Sequence, residues 1–196
     1  MKRVEIMQDL ILYTQTEAEK KLRANTYLLL GDKPILVDAG FLIKEDVDEV
    51  VLTHCHGDHV KYCPDYKKRG AKIMISEHDA VHLEAYDEVM QPEWAREVFG
   101  EVKPCIPDVK LVEGDHIKNS NWNLKVVHVP GHTPGSIALF DENRKIIFTG
   151  DTMYGSETFG SWDHPGGNKM DLTKSILKLK KLNFNMLCSG HGSTKD

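Results

Sequence analysis

The hexapeptide His54-Cys55-His56-Gly57-Asp58-His59 packs three imidazoles and a carboxylate into one short stretch, where the apolar run Val50-Val51-Leu52 gives way to a loop. Alternate side chains of an extended chain share a side, so His54 and His56 face one way and Cys55 the other. A turn at Gly57 then brings Asp58 and His59 round towards them. Nitrogen and oxygen donors at this density suit zinc, iron or manganese. An ion held there with an open position ionises water near neutral pH, so hydrolysis is the chemistry in view.

Three later donors repeat one local pattern: His132 follows Val126 to Gly131, Asp151 follows Ile146 to Gly150, and His191 follows Met186 to Gly190. Each stands after a glycine that closes an apolar run, so four strand ends converge on one donor set. A lone histidine at a strand end is usually structural. Seven donors in this order and context are a stronger signal than any one of them. Asp38 also closes an apolar run, Ile35-Leu36-Val37, and by itself reads as a turn residue.

The elements that must position these donors follow from pattern. Val4 to Tyr13 starts a sheet, and Asn25 to Leu30 and Ile35 to Asp38 are two buried strands joined by the tight turn Gly31 to Pro34. Val60 to Arg69 is a short helix started or broken near Pro64, Ala71 to Ser76 a strand, and Glu77 to Met90 a helix. His78 and His82 share a face of that helix and form a candidate metal pair, although a solvated face gives the same spacing. Gln91 to Pro107 is irregular, with a short helix near Trp94 and Phe99 that borders the pocket. Lys110 to Val112, Leu124 to Val129, Ile137 to Phe140 and Lys145 to Thr149 form a meander and a second sheet. Tyr154 to Lys169 is a long loop leaving directly from Asp151, so it lies over the site. Asp171 to Leu182 is a helix burying Leu172, Ile176 and Leu179, with Lys174, Lys178 and Lys181 outside.

A chain of 196 residues, 40% hydrophobic and 28% charged, suits one domain over 1–196 with a sizeable core. A net charge of −5 argues against nucleic acid as partner, since phosphate binding wants a basic stripe. The first nine residues carry charges where a signal peptide needs an apolar core, and no run is long enough to span a membrane. A cytoplasmic protein acting on a small molecule is expected, with oligomeric state left open. Cys55, Cys63, Cys105 and Cys188 form no CxxC pair, so reduced thiols are expected.

With Thr133-Pro134-Gly135-Ser136 and Thr152, these donors resemble the metallo-β-lactamase superfamily, whose pattern is HxHxDH, then GH, GD and GH. The resemblance covers nearly the whole chain. It implies an α/β fold, a four-layer αββα sandwich of two mixed sheets with the site at one edge. It also implies two divalent ions, zinc first, with iron or manganese also suited. His54, His56 and His132 would hold one, Asp58, His59 and His191 the other, and Asp151 would bridge them. Asp38 would lie beneath and orient a ligand. A hydroxide between the ions would be the nucleophile, with Asp58 also holding or receiving its proton.

Within the superfamily, the GHTPGS block, the GDT block, Asp163-x-Pro165-Gly166-Gly167 and Gly190-His191-Gly192 look most like glyoxalase II-type thioester hydrolases. Two departures argue against glutathione thioesters: the chain stops soon after His191, and Ser161-Trp162 stand where an arginine is usual. Tyr154 stands three residues after Asp151, where lactonases of the superfamily place a tyrosine that assists the substrate carbonyl. The expectation is a binuclear hydrolase of a small thioester, ester or lactone, with Asp58 and Tyr154 catalytic. Two alternatives stand beside it. One is an enzyme resembling mononuclear iron persulfide dioxygenases, using His54, His132 and Asp151; the other is a metal-stabilised, non-catalytic binding domain.

Overall fold

The computed structural model describes residues 1–16, 22–155 and 157–192. The first sheet has seven strands in chain order: β1 Lys2–Met7, β2 Leu10–Thr14, β3 Thr26–Leu29, β4 Ile35–Val37, β5 Glu49–Val51, β6 Lys72–Ser76 and β7 Val109–Leu111. The second has five, β8 His116–Lys118, β9 Asn123–His128, β10 Ile137–Asp141, β11 Ile146–Gly150 and β12 Met186–Ser189, in the order β12-β11-β10-β9-β8. Both sheets are mixed: β4 to β7 run parallel and the strands before them antiparallel, while β11 and β12 form a parallel pair.

Strand alternation builds the layers. Leu10, Leu12, Tyr27, Leu29, Ile35, Val37 and Val51 point from the first sheet into a core shared with Leu124, Val126, Ile137, Leu139, Ile146 and Phe148 of the second. Their neighbours Ile11, Tyr13, Leu28, Leu36 and Val50 point the other way. There they meet the helices α1 Gly57–Val60, α2 Cys63–Lys68 and α3 Glu77–Ala85. On the far side, Val127, Ala138, Phe140, Ile147 and Leu187 form a third core with Leu179 of α5, Lys169–Leu179. A remaining short helix, α4 Ala95–Phe99, lies beside α1. The order of layers is thus helix, sheet, sheet, helix. Truncating Phe148, fully buried between the sheets with its ring 5.3 Å from that of Tyr27, would cost about 3–5 kcal/mol.

Strand direction decides where the donors go. β4 and β5 are parallel, β11 and β12 are parallel, and β9 runs with β11 because each is antiparallel to β10. The residues following β4, β5, β9, β11 and β12 therefore emerge at one edge. Backbone bonds stitch the sheets together there, from Ile137 N–H to the Thr53 carbonyl (2.8 Å) and from Asn25 N–H to the Gly190 carbonyl (2.7 Å). Tyr27 Oη adds a bond to the Ser189 carbonyl at 2.8 Å.

Four expectations need correction. β7 pairs with β6 and so belongs to the first sheet, whereas the second gains β8, in which only Ile117 is buried and so leaves little pattern. The helix expected over Glu77 to Met90 ends at Ala85, because Tyr86 takes a left-handed conformation (φ 54°) and the Asp87 carboxylate accepts the N–H groups of Val89 and Met90. The helix expected within Val60 to Arg69 does start near Pro64, which stands in its first turn, but it is confined to Cys63–Lys68, with Val60 closing α1. The last helix spans Lys169–Leu179, capped by the Asn168 side chain. Among the described residues no helix is long and apolar enough to cross a membrane.

Candidate metal centre

All seven sequence-expected donors meet at the edge where the sheets are stitched. Their ligand atoms fall into three mutually close groups: His54, His56 and His132; His54, His59 and Asp151; and Asp58, His59 and His191. Asp151 stands between the sets. Its Oδ1 is 3.1 Å from His59 Nε2, and its Oδ2 is 3.6 Å from His132 Nε2 and 3.4 Å from His191 Nε2. Asp58 Oδ2 lies 3.1 Å from His191 Nε2. His78 and His82 do not assemble with them: His82 Nδ1 bonds the Asp87 carboxylate at 2.7 Å, and His78 lies against His128.

The supporting bonds fix which ring nitrogen faces inward. Asp38 Oδ2 sits 2.8 Å from His59 Nδ1 and, as a carboxylate, can only accept, so the proton is on Nδ1. The same carboxylate takes the Thr53 N–H at 2.8 Å and its hydroxyl at 2.9 Å. With its proton so directed, the Thr53 oxygen accepts from His54 Nδ1 at 3.1 Å. His132 Nδ1 donates to the Ser161 carbonyl at 2.8 Å, a bond supplied by the long loop after Asp151. Three imidazoles thereby point Nε2 at the centre, where His54 and His132 offer a lone pair and His59 can offer one by releasing its second proton to a cation.

Those inward atoms have no partner of their own. His54 Nε2, His59 Nε2, His132 Nε2 and Asp151 Oδ1 are buried without a hydrogen bond, with His59 and Asp151 facing each other at 3.1 Å. Each such atom costs about 1–3 kcal/mol unless something satisfies it. Neutral nitrogen donors and carboxylates facing one another in this way fit divalent cations.

Electrostatics divides the rings into two kinds. Burial, with the neighbouring imidazoles, drives His54 and His56 well below the ordinary histidine range, and burial lowers His132. Burial opposes charge on His59 and His191 too, but the surrounding carboxylates, Asp151 foremost, outweigh it. His59 is held well above its usual value and His191 is raised to about 10. Burial pushes Asp151 up, yet His191 and His59 pull it well below the carboxylate range. Burial and then Asp151 raise Tyr154, which lines the cleft with its ring 6.2 Å from that of His191.

Two residues of the site were not among the sequence-expected ones. Asp79, fully buried on α3, accepts the Cys55 N–H at 2.9 Å and the Thr133 hydroxyl at 2.7 Å on one oxygen, and the Gly135 N–H at 2.6 Å on the other. It clamps the hexapeptide to the loop after His132, yet in sequence it is one acid among several on an apparently solvated helix. His164 sits 4.8 Å, ring to ring, from both His56 and His132. Its place in the Asp163-His164-Pro165 turn was the available clue.

Residues 20–191 match the family described as the metallo-beta-lactamase superfamily. A probable metallo-hydrolase of Methanocaldococcus jannaschii is 32% identical, over 88% of this chain and 89% of its own. A hydroxyacylglutathione hydrolase of Haemophilus influenzae is 33% identical, over 74% of this chain and 68% of its own. Among solved structures, a protein crystallised in a di-iron-bound form superposes with a TM-score of 0.75 at 25% identity, covering 94% of this chain and 93% of that one.

Proposed function

This chain belongs to the metallo-β-lactamase superfamily, a metal-dependent hydrolase by that kinship, and from this we propose that it cleaves a small thioester, ester or lactone at a two-ion centre. The observation that carries the reading is the position of Asp151, whose two oxygens approach histidines of both donor sets. His54, His56 and His132 would hold one ion, Asp58, His59 and His191 the second, with Asp151 common to both. Divalent ions bound there would supply Lewis acidity and water ionised near neutral pH. Zinc, iron and manganese all suit the donors, and a structural relative is di-iron-bound.

The remaining steps fall to the protein's own groups. Asp58, at the cleft floor, accepts and holds a proton released from attacking water. Tyr154, kept protonated by burial and Asp151, donates its hydroxyl hydrogen to the substrate carbonyl. Asp38 and Asp79 hold the donors in register. The loop through Ser161 and His164 lines the cleft and orients His132. The four thiols are free and buried, which fits a reducing compartment, and we place the protein in the cytoplasm.

The test is a panel of thioesters, esters and lactones assayed with metal-stripped and reconstituted protein. Turnover that disappears with chelation and returns with zinc, iron or manganese supports the proposal. Iron-dependent oxygen uptake on a glutathione persulfide would transfer it to the dioxygenases, and absence of all turnover would leave a binding domain.

A further inference from the structure

A cleft of about 240 Å³ opens directly from the donor cluster. His56, Asp58, His132, Asp151 and His191 form its floor, and its wall is Leu22, Val89, Pro92, Trp94, Val98 and Phe99. Much of this wall is apolar surface left in solvent: Trp94 is 57% and Val98 38% exposed. Apolar side chains gathered beside a polar floor mark a ligand surface.

The wall is anchored to the chemistry. Gly57, inside the hexapeptide, donates its N–H to the Met90 carbonyl at 3.0 Å. Gln91 spans the segment, accepting from Tyr86 Oη and donating to the Gly100 carbonyl, both at 2.8 Å. No lysine or arginine lines the cleft among the described residues. The nearby Lys61 and Arg23 are outside the lining and both donate to the Phe99 carbonyl, each at 3.0 Å, and so cap α4.

We propose that this wall receives the neutral hydrocarbon acyl arm of the substrate, making the protein selective for alkyl-chain thioesters or esters. The inference rests on the hydrolase reading and specifies its substrate. A carboxylate or phosphate on that arm would meet no lysine or arginine among the described residues that line the wall and would be desolvated without a partner there. The volume lies just under the usual range for ligand pockets, roughly 300–1,000 Å³, so it holds one arm while the thiol or alcohol carrier projects into solvent. The scissile carbonyl then lies over the floor with the chain running towards Trp94 and Val98.

Two measurements test this. With reconstituted protein and N-acetylcysteamine thioesters from acetyl to decanoyl, kcat/KM should rise about fourfold per methylene until the cleft is full. The double variant Trp94→Ala/Val98→Ser should lower the octanoyl-to-acetyl ratio about tenfold or more. Ile106→Ser, at a 70% exposed position away from the cleft, should leave that ratio intact. With metal-stripped protein, calorimetry should find the octyl thioether of N-acetylcysteamine, which cannot be hydrolysed, binding at least tenfold tighter than the methyl thioether, and the double variant should lose the difference. A flat chain-length profile, equal binding of the two thioethers, or preference for a succinyl over a butyryl arm would overturn the assignment. Octyl binding without turnover of any thioester, ester or lactone would keep the assignment of the wall and defeat the hydrolase reading, so the two fail separately.

Discussion

Asp38 Oδ2 lies 2.8 Å from His59 Nδ1, and both side chains are almost wholly buried. The carboxylate projects from a backbone with φ of 61°, a conformation that asparagine and aspartate tolerate and most residues do not. From there it also binds both polar groups of Thr53, and through Thr53 it orients His54. One buried acid thus sets two rings.

Asp38→Ala should therefore destabilise the protein by about 3 kcal/mol, since the Thr53 N–H is left buried and unpaired. Asp38→Asn keeps the backbone and an acceptor and should fold nearly as well, while its metal affinity falls about 10- to 100-fold. Denaturant unfolding and metal titration on the two variants check this. Equal affinities in the wild type and Asp38→Asn would show that the carboxylate does not act through His59.

Asp79 contacts no donor atom of the cluster but holds the loops that carry His54, His56 and His132. Asp79→Ala should strand the Cys55 and Gly135 N–H groups, cost about 3 kcal/mol and lower activity with it. Asp79→Asn should recover part of both, because one amide oxygen can replace only one of the two accepting oxygens. Identical melting temperatures for wild type and Asp79→Ala would contradict this clamp.

The donor set and most strands were legible because each depends on short-range pattern, namely alternation in strands, glycine at their ends and histidine spacing in the hexapeptide, whereas the layered architecture was implied by the family resemblance. What escaped depended on distant partners. Asp79 looks like a surface acid until the fold buries it against Thr133, and β7 joins the first sheet only because β6 lies alongside. The early end of α3 follows from the Asp87 side chain folding back on Val89 and Met90, which competes with helix and leaves no periodic trace.

Gly190 has a steric reason to be glycine. A Cβ there would stand 2.1 Å from Asp151 Oδ1 and 2.6 Å from His59 Cε1. Gly190→Ala should push both donors out of place, lowering metal affinity at least tenfold while the sheets remain intact. Metal content and circular dichroism of the purified variant decide; full metal loading would mean that the donors are less closely packed than described.

The metal-free protein should have a stability maximum near neutral pH. His59 and His191 have raised values when folded, so the stability they contribute is complete below the ordinary histidine value of about 6.5 and fades as pH climbs towards about 10 for His191. His54, His56 and His132 are lowered, so they oppose folding once the unfolded chain protonates below about 6.5. Melting temperatures of chelator-treated protein from pH 5 to 9 should rise and then fall. A steady rise to pH 9 would exclude the charged state assigned to His59 and His191.

The most direct test counts ions. Metal-stripped protein titrated with zinc and analysed for bound metal after desalting should take up two ions per chain, and Asp151→Ala should retain at most one. Uptake of a single ion by the wild type, or two ions held undiminished by Asp151→Ala, would contradict a paired centre built around that carboxylate.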